Sequence, residues 1–442
     1  MRGLNAAAAV GCDDRSLYVM PSRQPHLGTG IWRTLIYCSL FSLIFIPEFA
    51  RDGVSEGGSI IYAKVAGGFR YVDLAILALA FAHLVCLACL RGKKLSLPRP
   101  LIAPGLAFVA CIGIAAMYGK THGGTNFFFD WRALALGVGV YVVWSFWVQN
   151  AADAASAVRL LAIYMAARIG LLYVLYIFGY RDTLLGVSIP VFDGPVISSI
   201  VFTGLLAFSF RDAAPNRRRR LARICLAAAS ALMVLLCMRR TYWSELGIGI
   251  LLLTLLQKNH RARNLKIVAL VIAVAALALG SALSSRLQSF DLSRDDSQFS
   301  ADNADHVHDL LDAWNEVRQS PVMGIGLGTS YPTWHIRRWK AESVMVHNAP
   351  LHVWLKYGLA GLLCYLWFHL VLLRWLYRKA RAPTAPLHPF LAAAFAYLAA
   401  QFVVTLGFAP WPYSELQLTA LMAFVLAVVV ATGKQQLFVR HA

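Results

Sequence analysis

Twelve apolar stretches, each close to the length of a bilayer-crossing helix, succeed one another along this chain and leave little of it for anything else. They run Thr34–Phe49, Tyr71–Leu90, Leu101–Tyr118, Ala133–Val148, Leu160–Gly179, Pro195–Phe210, Leu221–Met238, Thr241–Leu256, Ile267–Leu283, Ala349–Leu373, Phe390–Phe408 and Leu416–Thr432. A helix needs about 20 apolar residues to cross a hydrocarbon core about 30 Å thick. In that solvent only a structure that satisfies its own backbone N–H and C=O groups survives. Of 442 residues, 59% are hydrophobic and 14% charged, whereas a soluble domain carries about 25% charged residues. The expectation is an all-α, polytopic integral membrane protein of about 12 transmembrane helices. Residues 1–33 and 433–442 would be tails, 34–283 helices 1–9, 284–348 one long far-side loop, and 349–432 helices 10–12.

The formal charge of +19 would suggest nucleic-acid binding in a soluble protein, but its distribution says otherwise. With the N-terminus inside, alternating loops place 25 Lys and Arg on the cytoplasmic side and 15 on the far side; adding the acids gives net charges of +21 and −3. This is the positive-inside bias of a membrane protein, and no nucleic-acid partner is expected. The blocks Arg91/Lys93/Lys94/Arg99, Arg217–Arg220 and Arg374/Arg378/Lys379/Arg381 read as cytoplasmic anchors. Arg2, Arg15, Arg23 and Arg33 precede the first stretch, as in an uncleaved signal anchor. Eight cysteines fall almost entirely in apolar stretches and none in a far-side loop, so no disulfide framework is implied.

The far-side segment from Ser284 to Asn348 is the most uneven part of the chain, and a long loop is where function concentrates. Its first part, Asp291–Asp312, holds Asp295, Asp296, Asp302, Asp305 and Asp309 around His306 and His308. The spacing matches no EF-hand, and a solvated linker is the expectation; no metal site and no cofactor are anticipated. Leu310, Leu311, Trp314 and Val317 fall at helical spacing and predict an amphipathic helix along the membrane surface, ended by Ser320-Pro321. Gly324, Gly326 and Gly328 follow, either to let the backbone pass close to a ligand or as a flexible turn. Trp334, His335, Arg337, Arg338, Trp339 and Lys340 then form a basic-aromatic cluster. Interface anchoring explains its aromatics, while its cations point to an anionic ligand. His347-Asn348 stands immediately before the tenth stretch.

Two further cationic features stand out. Arg239 and Arg240 occupy a tight far-side turn whose counter-charge is either Glu245, one turn later, or a phosphate. Arg168 sits inside the fifth stretch, where an ionisable side chain is costly unless it faces a wet cavity or a partner, or snorkels to the cytoplasmic end. His83, by contrast, reads as core.

The order of these features resembles the O-antigen ligase and polymerase superfamily. Three stretches carry the likeness: Arg239-Arg240-Thr-Tyr-Trp243 opening a span; Trp314 followed by Ser320-Pro321 and Gly324-Ile-Gly326-Leu-Gly328; and His347-Asn348, nine residues, Gly358, two residues, Gly361. One departure is that His308-Asp309-Leu-Leu-Asp stands where relatives often have an Arg before the loop Trp, a role that passes here to Arg294, Arg318 or the Arg337/Arg338 pair. The resemblance implies a GT-C-like fold in the bacterial inner membrane with its active site on the periplasmic side. It also implies an undecaprenyl-diphosphate-linked glycan as donor and lipid A-core as acceptor, in contact with membrane lipid. His347 would be the general base and Arg240 the principal group on the leaving diphosphate. Arg239, Arg168, Arg337, Arg338, Lys340 and Asn348 would hold donor or acceptor. A polymerase, or a protein-directed oligosaccharyltransferase, would show much the same residues. Outside the class stands a secondary transporter, which would carry acids near the midplane and an internal repeat; neither is evident here.

Overall fold

The computed structural model describes residues 27–45, 71–89, 95, 97–125, 127–178, 181–184, 187–190, 194–211, 216–237, 239–257, 297–335, 339–343, 345–382, 387–407 and 416–439. Among them are twelve helices: α1 Leu27–Phe45, α2 Tyr71–Cys89, α3 Arg99–Thr121, α4 Phe127–Trp147, α5 Ala151–Ile177, α6 Gly194–Phe210, α7 Arg217–Leu236, α8 Arg240–Leu256, α9 Ser297–Gln319, α10 Ala349–Ala380, α11 His388–Thr405 and α12 Leu416–Val439. The only strands among the described residues form two short antiparallel hairpins. These are β1 (Arg181–Leu184) with β2 (Val187–Pro190), and β3 (Tyr331–His335) with β4 (Trp339–Ser343). Eleven helices coincide with eleven of the twelve apolar stretches; the ninth, Ile267–Leu283, lies outside the described residues.

Local chemistry explains where several helices begin. Asn150, Asn216 and Asn348 each sit in extended backbone and accept the N–H of Asp153, Arg219 and Leu351 on their side-chain oxygens, at 3.0, 2.9 and 2.9 Å. Each thereby satisfies one of the donors that a helix N-terminus leaves open. At the other end of α10, Arg378 and Lys379 occupy the last turn, where cations suit the helix dipole.

This is a membrane protein. Arg99–Thr121, Ala151–Ile177, Ala349–Ala380 and His388–Thr405 are long and apolar enough to cross a bilayer, and Asp73–Cys89, Val196–Phe210, Thr241–Leu256 and Leu416–Thr432 are shorter apolar helices. The main core lies where α1, α4, α6, α11 and α12 meet, with Trp144 wholly buried against Tyr37, Phe41 and Phe424. Away from it, α3 exposes Ile102, Leu106, Val109, Ile114 and Met117, a surface suited to lipid rather than water.

Residues 297–335, between α8 and α10, are folded, which corrects the solvated-linker expectation for residues 297–312. They belong to α9, because Ala313 and Val317 pack against Tyr331, Val346 and Leu355 in a separate small core. The tenth stretch also differs from expectation. Gly358 has φ 68° and ψ −175°, which breaks α10 in two. At the break the hydrogen bonds are exchanged: Leu355 C=O accepts from Ile325 N–H at 2.7 Å, while Leu359 N–H donates to Pro321 and Val322 C=O at 3.2 and 3.1 Å. Residues 359–380 alone are about 33 Å long at about 1.5 Å per residue, enough to cross the hydrocarbon.

Candidate active site

The glycine run between α9 and β3 is packed, its backbone lying against α3 and α10. A Cβ on Gly324 would lie 2.4 Å from Leu355 O, one on Gly326 2.5 Å from the Gly119 backbone, and one on Gly358 2.0 Å from Val322 O. Gly324, Gly326 and Gly328 have φ of 67°, 85° and 78°, the left-handed region that glycine adopts without strain. The loop is also hydrogen-bonded on both sides. Leu327 N–H donates to Ala115 O of α3 at 3.0 Å, and Gly328 N–H donates to the carboxylate of Asp130 on α4 at 2.8 Å. That carboxylate lies 3.4 Å from the Lys356 ammonium, which is itself wholly buried and donates to Thr329 O. A buried charge needs such a partner.

This platform holds His347, half-buried in the short connection to α10. Asp309, on the inward side of α9, meets it: Oδ2 lies 3.3 Å from His347 Nδ1 and accepts the His347 backbone N–H at 3.2 Å. The other oxygen, Oδ1, accepts from the Tyr331 hydroxyl at 2.5 Å. Asp309 is buried with 3% side-chain exposure, whereas the His347 side chain is 42% exposed. Burial pushes the Asp309 carboxyl up, but the hydrogen bonds from His347 and Tyr331 outweigh it and hold the group below its ordinary range. Burial and the neighbouring carboxylate push the Tyr331 phenol up, so it remains a donor. An ionised carboxylate on Nδ1 selects the tautomer with its lone pair on Nε2. A base oriented by a buried third group is the arrangement that proton-abstracting sites use.

Next to it, Asn348 is committed to structure through both ends of its amide. Its oxygen caps α10, and its nitrogen donates to Leu406 and Gly407 C=O at 2.8 and 3.0 Å, joining the N-terminus of α10 to the C-terminus of α11. One turn further on, His352 Nδ1 accepts the Val346 N–H at 3.4 Å, which pins the residue preceding His347.

Of the other residues singled out by sequence, Arg239 is exposed at the start of α8, where its C=O accepts from Tyr242 and Trp243 N–H. Trp243 Nε1 donates back to Val234 O at 3.1 Å and closes the α7–α8 turn. Arg240 is the first residue of α8. Glu245 points into the bundle, buried, and accepts from Ser198 at 2.7 Å; Ser198 in turn lies 2.9 Å from the Tyr397 hydroxyl. Arg168 lies midway along α5, with Nε and Nη2 buried and no hydrogen-bond acceptor for them among the described residues. Lys340 lies on β4 opposite Trp334; Arg337 and Arg338 lie outside the described residues, as does Arg294. His83 is core as expected, its Nδ1 2.7 Å from Leu79 O and its Nε2 accepting from Trp147.

Sequence reasoning missed Asp309, Tyr331, Asp130 and Lys356. The available signal for Asp309 was its place four and eight residues before Ala313 and Val317, an acid on the side of a helix that small apolar residues share. No curated protein matches the chain. Residues 225–366, from α7 through the His347 platform to Gly361 and beyond, match the family described as O-antigen ligase. That match covers 142 of the 442 residues, so this part of the chain, with the His347 platform inside it, is similar to the O-antigen ligase family.

Proposed function

We propose that this protein is an inverting, metal-independent glycosyltransferase of GT-C-like architecture. It moves an O-antigen glycan from undecaprenyl diphosphate to a sugar hydroxyl of lipid A-core at the periplasmic face of the inner membrane. The observation that carries this reading is the buried Asp309 carboxylate on His347 Nδ1, inside the segment that matches the family. In a single displacement the acceptor hydroxyl gives its proton to His347 Nε2 and its oxygen attacks the anomeric carbon. The bond from that carbon to the diphosphate oxygen breaks, its electron pair leaves with the diphosphate, and the configuration inverts. Asp309 stabilises the imidazolium that forms. Arg240, with Arg239, neutralises the departing diphosphate, because a guanidinium fork matches phosphate oxygens. Arg168, Arg337, Arg338 and Lys340 hold phosphates of donor or acceptor, and Asn348 supports the site by capping α10 next to the base.

The test is a purified assay with the lipid-linked donor and two acceptors, lipid A-core and a second lipid-linked repeat unit. Transfer to lipid A-core is expected, and His347→Ala and Asp309→Asn should each slow it by about 10² or more. Elongation of the repeat unit with no transfer to lipid A-core would make the protein a polymerase. Near-normal turnover by His347→Ala would remove that residue from the mechanism.

A further inference from the structure

We infer that one side of α9 is a membrane-contact surface, immersed at the boundary of the bilayer, and that it sets the height of His347 above the acyl chains. At about 100° per residue, α9 has three sides. Asp309, Ala313 and Val317 are buried against the protein; Asp312, Asn315, Glu316 and Gln319 form a polar side. Between these lie Val307, Leu311 and Trp314, exposed by 43%, 52% and 41%. Exposed large side chains in a row call for an apolar occupant.

The occupant is bilayer lipid, because this stripe continues without a gap into the lipid-facing surface of α10. The Trp314 ring lies edge-on to Trp354, centroids 5.5 Å apart, and Trp354 Nε1 donates to Pro321 O at 2.8 Å. Val322 and Met323 follow, both exposed, and Leu359 N–H is bonded to Pro321 and Val322 C=O. From there Leu359, Leu363, Trp367 and Leu370 run exposed down the part of α10 that crosses the membrane. Where that surface meets lipid, the adjoining stripe of α9 meets it as well. Tryptophan is the side chain favoured at this depth. Arg318, exposed at the end of the same stripe, is a cation in reach of headgroup phosphates.

The functional consequence rests on the reading of His347 as the base. Asp309 and the Val307–Leu311–Trp314 stripe lie on different sides of one helix, so lipid contact fixes the base at headgroup level, where a lipid-linked diphosphate presents its first sugar. The contact itself is tested without any activity. In a background with the eight cysteines replaced, nitroxides are attached at Leu311→Cys and at Asn315→Cys in liposomes of phosphatidylethanolamine and phosphatidylglycerol. The Leu311 label should collide with oxygen and be shielded from a water-soluble nickel chelate, and the Asn315 label the reverse. A Leu311 label open to nickel would place the stripe in water. A label shielded from both reagents would mean that protein covers it, either residues 258–296 or a second copy. Both results overturn the contact.

The height-setting role is read from Leu311→Ser/Trp314→Ser, which should lose about tenfold in transfer in liposomes and little in detergent micelles. Equal loss in both, or in neither, overturns that role. A wild-type protein that transfers no glycan refutes the proposed reaction and with it the height-setting role, while the nitroxide result stands by itself.

Discussion

Asp309 illustrates how a single side chain can serve stability and chemistry together. Its carboxyl is held below the ordinary range, so the folded state favours the ionised form. For a depressed carboxyl the stabilisation is fully present above the unfolded value, near about 3.9, and is lost as pH falls through the lower folded value. The melting temperature of the wild type in detergent should therefore exceed that of Asp309→Asn by a constant margin from about pH 5 upward. Below about pH 4 the margin should shrink. A margin independent of pH down to pH 2 would mean that the carboxylate charge contributes nothing there. At the same scale Asn348 caps α10 and ties it to α11, both ends of its amide having backbone partners.

Among the elements, α10 depends on the glycine at its break. Gly358 combines a left-handed φ with a hypothetical Cβ only 2.0 Å from Val322 O. Gly358→Ala must both strain the backbone, by about 1–3 kcal/mol, and push the glycine run away from α10. We expect it to lower the melting temperature and to release the loop beneath His347, so that transfer falls along with stability. Gly170→Ala in α5 is the control, since nothing lies within 4 Å of its added Cβ. There the substitution should be neutral or stabilising by about 0.5–1 kcal/mol. Equal effects of the two changes in thermal unfolding would remove the packing argument. α9 carries a different lesson. Its apolar residues predict a helix, yet the packed side is Asp309, Ala313 and Val317 while Leu311 and Trp314 face outward. Lipid and protein both accept apolar side chains, so periodicity identifies the helix but not which apolar side meets the protein.

For the molecule as a whole, the Asp130–Lys356 pair is a buried tie between the bundle and the platform under His347. It joins α4 to α10 and, through Gly328 and Thr329, to the glycine run. Removing one partner leaves a buried charge uncompensated, at roughly 3–5 kcal/mol. Lys356→Met should thus be far more damaging than the double change Asp130→Leu/Lys356→Met, and thermal unfolding of both variants would show it. A double variant no better than the single one would assign the loss to packing rather than charge. Orientation of the whole is the remaining global quantity, and we propose from the +21 and −3 partition that the α7 start is cytoplasmic and α9 periplasmic. Cysteines introduced at Asn216 and Ser300 in the cysteine-free background should react oppositely with an impermeant thiol reagent on intact cells. Labelling of both from outside would overturn the arrangement.

What the sequence alone determined are the properties that add up residue by residue. Transfer of side chains into hydrocarbon is local and additive, so hydropathy located the apolar helices. The order of Arg239-Arg240, the glycine run and His347-Asn348 likewise carried the resemblance that the match over residues 225–366 supports. The tertiary structure decided what depends on which surfaces meet. It paired Asp309 with His347, 38 residues apart, and brought Asp130 to Lys356. It also packed Gly324 against α10 and Gly326 against α3, and bonded Gly328 to Asp130 of α4. A buried ion pair or a backbone-to-backbone contact is stable only when both partners arrive together and water is excluded, and no window along the chain contains that information.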